Sequence, residues 1–199
     1  MAPAVTSGLE CPTHTDRIHS NLRRVFYVPV SVANSQVVYD AIKGVGVRMV
    51  SALPETWLVH LIRMADEDPD MTLVRLAKEE EGVGVSAGAH FAGVKSAMLM
   101  QNHGFLQAIN GIVGVSLLYK IPLLMLITDR GGFGEKDPWQ TEGGKHTRPV
   151  LDALHIARED LTRPDDVEPR LAKAMTLAQS SLSPVALLLS RDLMWEEPR

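Results

Sequence analysis

The chain holds a single cysteine, Cys11, among its 199 residues. No disulfide can form within it, which excludes a bridge-stapled scaffold and fits a reducing, cytoplasmic setting. No apolar run reaches the roughly 18 residues of a membrane-spanning helix. Arg17, Arg23 and Arg24 precede no apolar core, so a signal peptide is not expected. The net charge of −4 leaves no positive excess for nucleic acid or an acidic membrane surface. His14, His19, His60, His90, His146 and His155 show no metal-ligand spacing, so no metal site is expected on this chain. Internal repeats and low-complexity segments are also missing.

What is present is an ordinary globular composition, 45% hydrophobic and 22% charged, in a length that suits one domain with a proper core. Residues 1–34 read as an N-terminal tail or arm. Within them, residues 23–32 (RRVFYVPVSV) suggest an added strand or an arm on a neighbour, and Pro29 confines any strand there to an edge. Residues 35–199 read as one α/β domain. Helices are expected at 35–44, 57–66, 105–119 and 165–180, with strands at 48–53, 71–77, 96–101, 123–128, near Ile156 and at 185–190. Residues 129–147, with six glycines or prolines, read as a long polar loop followed by a short helix. Six strands separated by helices predict a doubly wound six-stranded parallel sheet with helices on both faces.

The stretch from 71 to 115 organises the rest. Its helix places Gly82, Ser86, Ala89 and Gly93 at offsets of 0, 4, 7 and 11, on one face where a second backbone can come close. Three carboxylates, Glu79, Glu80 and Glu81, stand at its head. Read alone, they need only serve the helix macrodipole, and Gln101-Asn102-His103-Gly104 need only be a helix entry with an Asn cap. Both turns, however, fall at the carboxyl ends of strands, where open α/β sheets bind ligands.

Glu79-Glu80-Glu81-Gly82-Val83-Gly84, Met100-Gln101-Asn102-His103-Gly104, Tyr119-Lys120-Ile121-Pro122 and Asp129-Arg130-Gly131 occur in the order that resembles the pyrimidine-binding domain of thiamine-diphosphate-dependent 2-oxoacid decarboxylases. The likeness is to sulfopyruvate and phosphonopyruvate decarboxylases, above all the alpha subunit of the two-subunit sulfopyruvate enzyme. The resemblance implies thiamine diphosphate as cofactor and a small anionic 2-oxo acid as substrate. It also implies a glutamate that hydrogen-bonds the aminopyrimidine N1′ and favours its imino tautomer, a role that calls for burial. Counting back nine residues from Gly88 gives Glu79; aligning Gly82 and Gly84 with a G-x-G variant gives Glu80. Gln101, Asn102 and Gly104 would line the cofactor cleft. His103, where Ser is more usual, would contact substrate or shuttle a proton, although a loop histidine without a partner needs no role. Glu55, after Leu53-Pro54, would lie near substrate or simply occupy a strand-to-helix turn. Arg130 and Lys136 resemble cations that hold the substrate's anionic group, and solvated loop charge is the plain alternative. Trp139 departs from the pattern and leaves room for a bulkier substrate.

The family holds diphosphate and Mg²⁺ through Gly-Asp-Gly followed by Asn-Asn on a second domain, and Gly-Asp-Gly does not occur here. The resemblance therefore implies a hetero-oligomer whose partner subunit carries the diphosphate and Mg²⁺ site, with the glycine-lined helix and the acidic turn facing that partner. A non-catalytic assembly or ligand-binding module of the same fold is the other reading.

Overall fold

Residues 123–127 and 184–189 are apolar throughout rather than alternating, the pattern of strands covered on both faces. The computed structural model, which describes residues 29–196, shows this arrangement. In chain order the elements are α1 (Val32–Gly44), β1 (Met49–Ala52), a 3₁₀ turn (Thr56–Leu58), α2 (Val59–Glu67), β2 (Thr72–Arg75), α3 (Glu79–Phe91), β3 (Ser96–Gln101) and α4 (Asn102–Gly111). A π-helical turn (Ile112–Leu117), β4 (Leu123–Thr128), α5 (Pro138–Ala153), β5 (Ala157–Leu161), α6 (Pro164–Ser181), β6 (Pro184–Leu189) and α7 (Arg191–Met194) follow. The six strands are all parallel and ordered β2-β1-β3-β4-β6-β5.

Side-chain alternation divides the core in two. Leu124 and Leu126 of β4 point into one layer with Trp57, Leu61, Leu171 and Leu193. Leu123, Met125 and Ile127 point into the other with Val83, Phe105, Ile112 and Leu151. Helices α1, α2, α6 and α7 therefore cover one face and α3, α4 and α5 the other. The chain leaves β1 toward β2 on one side and reaches β3 on the other, so a crevice opens at the β1/β3 switch point, outside the carboxyl ends of the strands.

The expected long loop is mostly helix. Residues 129–137 connect, and α5 then starts at Pro138, whose fixed φ suits a first helical position. Gly143 and Gly144, which look like loop residues, are helical because there is no room for a side chain. A Cβ on Gly144 would lie 3.0 Å from the Arg130 carbonyl carbon, and one on Gly143 2.6 Å from His103 Cε1. The small-residue stripe of α3 also differs from its expected role. Gly82, Ser86 and Ala89 are buried against the sheet, where a Cβ on Gly82 would come within 2.6 Å of Met98 and 3.0 Å of the Ser51 hydroxyl. Gly93 lies beyond the helix with φ +73°. The face turned outward carries Gly84, Gly88 and the exposed Phe91 instead.

Most of the 23–32 segment lies outside the described residues. Its end is tied down: Val30 bridges Trp195 antiparallel, and the Ser31 amide donates to the Met194 carbonyl. Ser31 then caps α1 through the Asn34 amide, which starts that helix at Val32 rather than 35.

Candidate active site

The three glutamates at the head of α3 lie about 100° apart around the helix and meet three different environments. Glu81 turns back to accept from the Ala77 amide, an ordinary capping role. Glu80 accepts from Asn110 at 2.7 Å and from Lys78 at 3.0 Å. The Asn110 bond first, and then Lys78, hold its carboxyl below the ordinary range. Glu79 is buried, with 8% of its surface exposed. Its backbone amide donates to Gln107 Oε1, but among the described residues its carboxylate has no hydrogen-bond partner. That carboxylate lies against Gly104, where a Cβ would stand 2.7 Å from both Glu79 Cγ and Cδ. Glycine at 104 is the cradle that lets the acid lie over the first turn of α4.

The Gln101–Gly104 turn divides its labour. Asn102 is fully buried, its Oδ1 accepting from the Arg130 amide at 2.7 Å and its Nδ2 donating to Thr147 Oγ1 at 2.9 Å. It ties the end of β4 to α5, so its side chain supports the cleft without lining it. His103 is exposed, its ring against Gly143. Gln101 faces a cavity of about 570 Å³ whose walls include Glu55, Arg130, Asp137, Trp139 and Gln140, with Pro54, Val59 and Ile62 as its apolar side.

Arg130, expected to hold an anion, is already held by three. Its Nε donates to Glu135 at 2.7 Å and Nη2 to Glu135 at 3.0 Å and Asp137 at 3.1 Å, while Nη1 lies 3.5 Å from Glu55. The guanidinium also stacks 4.8 Å from the centre of the buried Trp57 ring. Burial alone would raise the Glu135 carboxyl, but the Arg130 bond and the amides of Asp137 and Gly131 hold it down at about 2. Glu55 fares differently. Loss of hydration raises it to about 7, and Arg130 together with the Trp57 and Leu58 amides reverses this only in part. The arginine's charge is already shared with Glu135 and Asp137, which explains why its attraction falls short. A carboxyl near neutrality in an apolar-walled cavity is suited to taking up and releasing a proton. Lys136 is exposed beside the cluster and does not line the cavity.

Sequence reasoning missed Glu135, Asp137, Gln140, Thr147 and Trp57. All but Trp57 lie in the segment read as loop, where an Asp-Pro pair opening a helix was the available signal. Among the described residues no group of three or more His, Cys, Asp or Glu could hold a metal ion, and no helix is long and apolar enough to cross a membrane.

The family described as thiamine pyrophosphate enzyme, N-terminal TPP binding domain, matches residues 33–154. The chain belongs to this family. It is 35% identical to the sulfopyruvate decarboxylase subunit alpha of Methanococcus maripaludis over 165 residues, 83% of this chain and 98% of that one. To the same-named subunit of Methanothermobacter thermautotrophicus it is 34% identical over 158 residues, 74% of this chain and 96% of that one. The phosphonopyruvate decarboxylase of Streptomyces viridochromogenes is 29% identical over 160 residues, 78% of this chain but 40% of that longer one. A solved structure from Mycobacterium smegmatis, described as a thiamin diphosphate-dependent enzyme, shares the fold with TM-score 0.63 at 18% identity, covering 82% of this chain and 31% of that one. The thiamine pyrophosphate domain therefore spans the switch-point crevice and every site residue named above.

Proposed function

We propose that this chain is the pyrimidine-binding subunit of a two-subunit thiamine-diphosphate-dependent decarboxylase, acting in the cytoplasm on a small anionic 2-oxo acid of the sulfopyruvate or phosphonopyruvate type. The observation that carries the reading is the buried Glu79 carboxylate, without a partner and cradled on Gly104. A buried acceptor needs a donor, and the pyrimidine ring protonated at N1′, as in its imino tautomer, would supply one. The residues present thus fit the cofactor of their family. When bound, thiamine diphosphate supplies the electron sink into which a 2-oxo acid loses its carboxyl group.

The chain's own contribution is to hold and move protons. Glu79, at the head of α3, would hold the proton at the pyrimidine N1′. Glu80, bonded to Asn110 and Lys78, is ionised too readily for that task and shapes the turn. Gly104 and Asn102 set the cradle and the floor, while Gln101 joins the cradle to the substrate cavity. Glu55 exchanges a proton with substrate inside that cavity, and the exposed His103, beside Gly143, carries protons to solvent. Arg130 orders the 129–137 loop that forms the cavity wall. Diphosphate and Mg²⁺ are held by a partner subunit carrying Gly-Asp-Gly. The names of the alpha-subunit relatives support this division.

The test is reconstitution. The purified chain mixed with that partner, Mg²⁺ and thiamine diphosphate should release CO₂ from sulfopyruvate or phosphonopyruvate, and either subunit alone should not. A saturated mixture that releases none from either acid would remove the reading.

A further inference from the structure

The substrate cavity presents an electrostatic problem. Its one cation among the described residues, Arg130, makes four hydrogen bonds to Glu135, Asp137 and Glu55 and has a face covered by Trp57. With three carboxylates around one guanidinium, the cluster is not positive even when Glu55 is protonated. An anionic substrate therefore gains little from Arg130 by simple attraction, and its oxygens need neutral donors.

Gln140 is placed to be that donor. It lies in the first turn of α5, is 7% exposed and lines the cavity. The left-handed Gly131 (φ +84°) has its Cα in close contact with the 140–141 backbone, since a Cβ there would lie 3.0 Å from Thr141 Cα. The Gln140 side chain is bonded to Gln101, with 3.1 Å between Gln140 Nε2 and Gln101 Oε1. An amide nitrogen carries two N–H groups, so Nε2 gives one to Gln101 and keeps a second. A ligand oxygen in the cavity takes that second N–H at no loss of protein hydrogen bonding.

We propose that Gln140, oriented by Gln101, is a specificity-determining residue that donates its side-chain N–H to an anionic oxygen of the 2-oxo acid. The proposal rests on the decarboxylase reading and adds the group that receives the substrate. The oxygen belongs to the acid's carboxylate or to its anionic C3 substituent, and the experiment separates the two.

In the reconstituted two-subunit enzyme, Gln140→Leu should lower kcat/KM about 10- to 100-fold, mainly through KM, as expected for losing a hydrogen bond to a charged group. A fall of equal size on sulfopyruvate and pyruvate assigns the contact to the carboxylate; a fall confined to sulfopyruvate assigns it to the C3 group. Gln140→Glu, nearly the same shape but without a donor and with a negative charge, should fall further than Gln140→Leu. Affinity for thiamine diphosphate should stay unchanged in both variants. Activity of Gln140→Leu within twofold of the unsubstituted enzyme on both acids, or full activity of Gln140→Glu, overturns the proposal. If Gln140→Leu does not assemble, Gln140→Glu decides alone. An unsubstituted complex without decarboxylase activity overturns the decarboxylase reading itself, before any variant is compared.

Discussion

Replacing Glu55 by glutamine should remove a pH dependence of stability whose sign is opposite to that of a salt-bridged carboxylate. Glu55 rises from an ordinary value of 4.5 to about 7 in the fold, chiefly through loss of hydration. Between those two values the folded chain binds more protons than the unfolded one, so stability falls as pH rises through the window. Its stabilising proton is fully held below the unfolded value and lost above the folded one. Integrated from pH 5 to pH 8, a shift of this size is worth about 2.5 kcal/mol. Glutamine keeps an oxygen for the Trp57 and Leu58 amides and has no charge to desolvate. The difference in unfolding free energy between Glu55→Gln and the unsubstituted chain should therefore shift in the variant's favour by roughly 2–3 kcal/mol between pH 5 and pH 8. Urea unfolding at half-unit intervals measures it, and contributions from other titrating groups cancel in the difference. A difference that stays flat with pH, or moves the other way, refutes the claim that Arg130 is too heavily shared to keep Glu55 ionised.

Two further substitutions separate scaffold from chemistry. Gly104→Ala puts a methyl 2.7 Å from Glu79 Cγ and Cδ. The acid's flexible end must move, so the reconstituted activity should drop at least tenfold while the melting temperature shifts by only a few degrees. Asn102→Ala breaks the bonds to the Arg130 amide and Thr147, which should cost roughly 2–3 kcal/mol of stability, read by chemical unfolding.

The sheet was legible because its central strands are buried on both faces. β3 and β4 show as unbroken apolar runs bounded by polar turns, and both match their expected limits, 96–101 and 123–128. Helix α5 was hidden by its own packing. Gly143 and Gly144 are demanded by the approach of His103 and the Arg130 carbonyl, yet in sequence a glycine pair signals a turn. Because α5 was read as loop, Gln140 and Thr147 went unnoticed, and Arg130 looked like a free cation although Glu135 and Asp137 lie five and seven residues beyond it. The small-residue stripe did mark a close backbone approach, but to the sheet. The acidic turn shows the other limit: sequence names three adjacent glutamates, and only the direction each leaves the helix separates a cap, a paired surface acid and a buried carboxylate without a partner.

That carboxylate is also where the account is tested most directly. Glu79→Gln keeps the shape and the Gly104 contact but removes the ionisable group, so the two-subunit enzyme should assemble normally while kcat for CO₂ release falls about 100-fold or more, the scale of a lost general acid–base group. A variant that assembles and turns over at the unsubstituted rate would contradict the assignment of Glu79 as the acid that holds the pyrimidine proton.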